Sequence, residues 1–365
     1  MALVLPMILV AYDYIFRREK KPVLDYLKGY IPYVMVASVY LVLRFHILGG
    51  FVPVKSYTDL SAYQYVINVF PLFMKYLEKL LFPVNLNFWH SFHPIKSIIE
   101  PEGILSLTIT AVFCVLSLIS IKRNRVVFFG LLFVAVALLP VFYIPGIPGK
   151  PFAERYLYLP SFGFVILVAI FFAWIKAKIP GGTIISTMVS IALMGAYFVS
   201  TVSRNAAWND NYILWSDTVR KSPDGALPRN NLGNALMKVG RIDEAIEQYN
   251  IALRLEPDSS EAHNNLGGAY YMKDDIDKAL GHFKIAIALN PDNVEAHNNL
   301  GSTYLVKGLL GEALAQYHIA LRLKPDYAEA HYNMGLLHRR MGSEFGAKDE
   351  FGKALRVNPN LATSR

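Results

Sequence analysis

Asparagine recurs at one register of this chain every 34 residues: Asn231, Asn265, Asn299 and Asn333, with Asn230, Asn264 and Asn298 directly before three of them. A carboxamide puts donors and an acceptor on one short, uncharged group. A row of them can pair with the main chain of an extended polypeptide without reading its side chains, or it can bridge neighbouring helices. His263, His297 and His331 share the period, which accounts for them, and no metal role is expected. A second group is Glu154 and Arg155, in a proline-rich segment (145–161, PGIPGKPFAERYLYLPS) that precedes an apolar run. A charged pair at a membrane boundary marks a functional site, and an arginine fork suits phosphate. The other reading is an ion pair that anchors the loop. Arg44 and His46 close another apolar run and either snorkel or face the same cavity. His90 and His93 have H-x-x-H spacing without a third ligand near them in sequence, so no metal site is expected.

The elements that must hold these residues divide the chain in two. Of its 365 residues 54% are hydrophobic and 18% charged, against about 25% charged in an ordinary globular protein. The formal charge of +8 is uneven: residues 1–203 carry +9 and residues 204–365 carry −1. The excess cations lie in the apolar half, which argues against a nucleic-acid-binding surface. One cysteine, Cys114, excludes a disulfide framework and a cysteine-based zinc site. Apolar runs at about 1–16, 29–48, 103–121, 126–144, 158–175 and 184–202 approach the length that crosses a bilayer. The stretch 63–82 holds Pro71, Lys75, Glu78 and Lys79 and is expected to lie in the outer interface rather than cross. The basic clusters Arg17 to Lys28, Lys122 to Arg125, and Lys176 with Lys178 then all face the cytoplasm. Residues 49–102, 145–157 and everything after 204 fall on the extracytoplasmic side.

The second half repeats. Pro223, Pro257, Pro291, Pro325 and Pro359 are each 34 apart, the period of tetratricopeptide repeats. Aligned on them are Leu232–Gly233, Leu266–Gly267, Leu300–Gly301 and Met334–Gly335. Ala245, Ala279, Ala313 and Ala347 follow, then the aromatics Tyr249, Phe283, Tyr317 and Phe351, then Ala252, Ala286, Ala320 and Ala354. Small residues let antiparallel helices approach, the ring fills the gap to the neighbour, and proline ends the second helix. Trp208 to Pro223 reads as a lone second helix with Trp215 at the aromatic position. No polar capping helix is legible after Pro359, where one is usual. The expected fold is all-α: a polytopic transmembrane domain of about six spans (1–203), a half-repeat connector (204–224) and four repeats (225–365).

These residues carry a resemblance. LLFPVNLNFWHSFHPI (80–95), FAERYLYLPSFGF (152–164), RNAAWNDNYILW (204–215) and the repeats together resemble the transmembrane protein O-mannosyltransferases that bear tetratricopeptide repeats, of the GT-C glycosyltransferase architecture. AHNNLG at 262–267 and 296–301 is similar to the repeats of the soluble O-GlcNAc transferase, whose asparagine ladder holds acceptor polypeptide. The first resemblance implies transfer of a sugar, mannose, from a polyprenyl-phosphate donor such as dolichyl phosphate mannose to Ser or Thr of proteins. It places the donor lipid phosphate near Glu154, Arg155, Tyr156 and Arg44, and the acceptor on Asn231, Asn265, Asn299 and Asn333. The implied partners are the bilayer, the lipid-linked sugar and the acceptor polypeptide; the only small molecule implied is the donor, with no metal and no nucleic acid. Enzymes of this architecture carry catalytic acids in the first outer loop. None precedes the first apolar run here, so no catalytic residue is assigned, and the chain reads as the C-terminal part of such an enzyme. The alternative is a non-catalytic membrane-anchored scaffold whose repeats bind proteins. A repeat-bearing oligosaccharide ligase or polymerase is a third reading.

Overall fold

The computed structural model describes residues 4–16, 30–33, 35, 38–39, 60–82, 93–142, 154–208 and 210–362. The described residues are helical, without strands, and the chain forms two compact units, Met1–Trp208 and Asn209–Arg365.

In the first unit four helices are long and apolar enough to cross a membrane: α4 (Pro101–Arg123), α5 (Arg125–Phe142), α6 (Tyr158–Lys178) and the Gly182–Val202 part of α7 (Gly182–Trp208). At 1.5 Å per residue, the 18 to 23 residues of α4, α5 and α6 span roughly 27–35 Å, matching about 30 Å of hydrocarbon. Of the run at 1–16, helix α1 (Val4–Phe16) has 13 residues, about 20 Å, and residues 1–3 lie outside the described residues. The run 29–48 lies mostly outside the described residues, as do Arg44, His46 and His90.

The stretch expected as one interfacial helix at 63–82 is two: α2 (Ala62–Ile67) and α3 (Val69–Leu81). Asn68 sits between them, fully buried. Its amide donates to the carbonyls of Gln64 (2.8 Å) and Ile95 (2.9 Å), and its Oδ1 accepts from the Ile95 N–H (2.8 Å). A side chain that satisfies a distant backbone segment from inside the fold fixes a corner there. Leu72, Phe73, Tyr76 and Leu80 of α3 pack on Val134, Leu138 and Val141 of α5. Lys75 pairs with Glu102 at the start of α4 (3.3 Å). Helix α1 packs along α5 through Val4, Ile8, Ile15, Phe129 and Ala137. Helices α5 and α6 cross at Gly130 and Gly163, where an added Cβ on Gly163 would lie 2.7 Å from the Gly130 carbonyl oxygen. Small residues at such a crossing let backbones touch.

The second unit opens with α8 (Asn211–Lys221), capped by Asp210 Oδ1 on the Tyr212 (2.6 Å) and Ile213 (3.1 Å) amides. Its Trp215 and Val219 pack onto the first repeat. Four helix pairs follow: α9 (Ala226–Lys238) with α10 (Ile242–Leu255), α11 (Ser260–Met272) with α12 (Ile276–Leu289), α13 (Val294–Val306) with α14 (Leu310–Leu323), and α15 (Ala328–Arg340) with α16 (Glu344–Val357). The turn inside each pair needs one left-handed residue: Gly240, Asp274, Gly308 and Gly342. In every pair the second-helix ring lies flat on the first-helix glycine. A Cβ on Gly233, Gly267, Gly301 or Gly335 would stand 2.4 to 2.8 Å from a ring carbon of Tyr249, Phe283, Tyr317 or Phe351.

Candidate functional site

The first helices of the repeats line a groove of about 490 Å³. Its walls are Asn234, Met237, Asn264, Asn265, Gly268, Tyr271, Met272, Asn298, Asn299, Ser302 and Asn333, with the Tyr249 and Phe283 rings in its floor. The asparagines form a ladder. Nδ2 of Asn265 donates to Asn230 Oδ1 (3.0 Å), Asn299 to Asn264 (3.1 Å) and Asn333 to Asn298 (2.9 Å). Each rung joins one repeat to the repeat before it. The amides thus bridge neighbouring helices, and Asn264, Asn265, Asn298, Asn299 and Asn333 do so on the groove wall. A bridging carboxamide still has a second N–H and a carbonyl, so the rungs can present hydrogen-bonding groups to a ligand. Asn231, expected as a fourth rung, is not among the groove-lining residues. Asn230 instead starts the ladder and donates to Glu261 Oε1 (2.9 Å).

The histidines have a different task. His263, His297 and His331 each place Nε2 on the carbonyl of the preceding proline, Pro257 (3.2 Å), Pro291 (3.0 Å) and Pro325 (2.9 Å). Nδ1 of each meets a second-helix residue 19 positions on: His282 (3.1 Å), Gln316 (2.7 Å) and Glu350 (2.6 Å). Arg229 does the same in the first repeat, reaching Pro223 O (3.1 Å) and Gln248 Oε1 (2.8 Å). These side chains tie each repeat's first helix to the turn before it and to its own second helix. The His263–His282 pair stacks at 5.4 Å, and Tyr270 stacks on His282 at 5.5 Å. Burial holds both imidazoles below the usual histidine range. For His282 the neighbouring His263 adds to this; for His263 the Pro257 carbonyl and Asp258 oppose it. Among the described residues no three His, Cys, Asp or Glu side chains gather as a metal site.

The floor follows a rule that motif reading did not find. Tyr249 OH donates to Asn234 Oδ1 (2.6 Å), and Tyr317 OH pairs with Ser302 Oγ (3.1 Å). Where the ring is Phe283 or Phe351, the same first-helix position is Gly268 or Leu336. A buried phenol needs a partner, and burial pushes the Tyr317 hydroxyl up to about 12. Tyrosine in the floor therefore goes with a polar residue on the wall. The signal was in the sequence, as a paired change 15 residues apart.

In the first unit Glu154 and Arg155 open a 3₁₀ turn, Glu154–Leu157, that runs directly into α6. Tyr156 and Leu157 pack against the cluster built by α3 and α5. The turn, α3, the 93–100 segment and Glu102 thus form one end layer. The opposite end is basic: Lys122, Arg123, Arg125, Lys176 and Lys178 terminate α4, α5 and α6 there, and Arg125 Nη1 reaches the Ile15 carbonyl at the end of α1 (3.4 Å).

Tetratricopeptide-repeat family models match residues 230–294, 282–315 and 306–342. The chain is 29% identical over 245 residues to the protein O-mannosyl-transferase TMTC1 of Mus musculus, covering 63% of this chain and 26% of that protein. It is 29% identical over 198 residues to the protein O-mannosyl-transferase F38B6.6 of Caenorhabditis elegans, covering 53% and 28%. The first match is longer than the second unit, so it takes in part of the apolar half. The matches span about a quarter of the length of these relatives. Among solved structures, the crystal structure of MamA aligns at 26% identity over 45% of this chain and 96% of that one, with a TM-score of 0.37. Residues 230–342 thus match tetratricopeptide repeats, and the chain, with four helices long and apolar enough to cross a membrane, is similar to protein O-mannosyl-transferases.

Proposed function

We propose that this chain is the repeat-bearing part of a membrane glycosyltransferase that moves mannose from a polyprenyl-phosphate carrier to Ser or Thr of polypeptides, with the repeat groove holding the acceptor. The observation that carries this reading is the amide ladder on the groove wall of a chain similar to protein O-mannosyl-transferases. A sugar transferase acting on many proteins needs an acceptor site that grips main chain, and an uncharged amide row does that. The Glu154–Tyr156 turn borders the donor phosphate in this reading, because it stands in the end layer beside α3 where the lipid headgroup region would lie. The same geometry supports extracytoplasmic repeats. The basic helix ends gather at one end of the unit. Helix α7 begins four residues after Lys178 and reaches the α3 end, where Tyr197 OH donates to the Leu80 carbonyl (3.0 Å).

The acceptor role is tested with the full chain in nanodiscs and a labelled, unstructured Ser/Thr-rich peptide. Replacing Asn265 and Asn299 with alanine removes two rungs and is expected to weaken capture about tenfold, while the repeats stay folded and lose only about 0.5–1.5 kcal/mol for each inter-repeat bond. Unchanged capture would reduce the ladder to structure. A photoreactive polyprenyl phosphate should label the 154–157 turn. Labelling elsewhere, with capture intact, would favour the scaffold reading.

A further inference from the structure

The groove is not uniform along its length. Three residues beyond the ladder register, successive repeats carry Asn234, Gly268 and Ser302, all on the groove wall. Asn234 is bonded to Tyr249 and Ser302 to Tyr317. Gly268 has no such bond to make: its floor ring is Phe283, and a Cβ placed on Gly268 would meet nothing within 4 Å. Tyr271 and Met272 border the same stretch. At Gly268 the wall therefore carries no side chain, which leaves a notch between Asn234 and Ser302.

We propose that this notch receives one apolar side chain of the polypeptide whose main chain the amide ladder holds, so that Gly268 sets the specificity of the groove. The inference rests on the acceptor role argued above. None of the groove-lining residues is charged. Glu261, Glu295 and Glu329 stand one turn before Asn265, Asn299 and Asn333 on the same first helices. An acidic side chain in the notch would lose water with no cation to meet it, under the field of those carboxylates. An apolar one would cover Tyr271 and Met272, which border the notch, at no such cost. Neighbouring helices pack about 8–10 Å apart, and an extended chain advances about 3.3 Å per residue and alternates its side chains. About three residues then separate successive rungs, and a single side chain of the bound segment enters the notch.

The test uses the full chain in nanodiscs and end-blocked, fluorescent Ser/Thr/Gly peptides of about twelve residues, enough to cross the rungs. They carry Leu, Ser or Asp at the centre. The Leu peptide is expected to bind about tenfold tighter than the Ser peptide, and the Asp peptide weakest. Gly268→Leu fills the notch and should erase the preference for Leu while the Ser peptide binds as before; Gly268→Ala should reduce it in part. Equal binding of Leu and Ser peptides to the unmodified chain, or a preference that survives Gly268→Leu, would overturn the notch and leave the ladder standing. Failure of every peptide to bind would overturn the acceptor role and the notch together.

Discussion

Along α7, Ile184, Met188, Ile191, Met194 and Phe198 are 60 to 68% exposed, whereas Tyr249, Phe283 and Tyr317 in the repeats are at most 1% exposed. The two units place apolar surface in opposite ways. In the first, the apolar window of α7 is only 6% buried and that of α4 only 11%, and lipid is the solvent that makes such surface stable. In the second, a ring fills the space above a glycine in each repeat, and neighbouring repeats close over it. The contrast shows that exposure alone does not mark a binding surface in this chain. The groove is distinguished instead by its row of asparagines bonded from repeat to repeat.

The comparison can be broken in several places. The largest effect is expected from Phe283→Ala, which empties a filled site and should cost about 3–5 kcal/mol, read from the urea or thermal transition of the repeats. Next, Ile191→Arg near the middle of α7 should cost about 2.5–3.5 kcal/mol in a membrane-insertion assay. Ile285→Arg, also an exposed isoleucine but in α12, should stay within about 0.5 kcal/mol. Equal outcomes for the two isoleucines would remove the distinction between the units.

Two adjacent glycines sharpen it further. A Cβ on Gly267 meets Phe283 at 2.8 Å and one on Gly268 meets nothing. Gly267→Ala is therefore expected to destabilise by about 1–3 kcal/mol, and Gly268→Ala to stabilise by about 0.5–1 kcal/mol through helix propensity. The smallest effect concerns pH. Burial holds His263 and His282 below the usual imidazole range, so the unfolded chain binds protons more readily than the folded one. Stability is complete above the ordinary value of 6.5 and falls as pH drops below it toward the lowered values. His282→Gln, which reproduces Gln248 and Gln316 of the neighbouring repeats, should flatten that fall in a melting series from neutral to mildly acidic pH.

Much of the fold was legible because its rules are local or periodic. A 34-residue period leaves proline, glycine and ring in register, and unbroken apolar runs mark α4 to α7. The interfacial stretch was not fully legible, because Asn68 breaks it by binding the backbone of Ile95, 27 residues away. The ladder has its donors, Asn265, Asn299 and Asn333, at the register picked out from the sequence. Its acceptors are the preceding asparagines 35 residues back, so the chain of amides begins at Asn230 rather than Asn231. The uniform period of the histidines hid differing partners, His282, Gln316 and Glu350. The Gly268 notch is visible only when wall and floor are read together.

The most direct test places a photo-cross-linking amino acid at Tyr271 on the groove wall and, separately, at Ile285, exposed on the second helix of the same repeat. With the chain in its native membrane, secretory polypeptides should be captured at 271 and not at 285, and the Asn265→Ala, Asn299→Ala background should weaken the capture about tenfold. Equal capture at both positions, or capture that ignores the asparagines, would contradict a groove that holds polypeptide by its amide ladder.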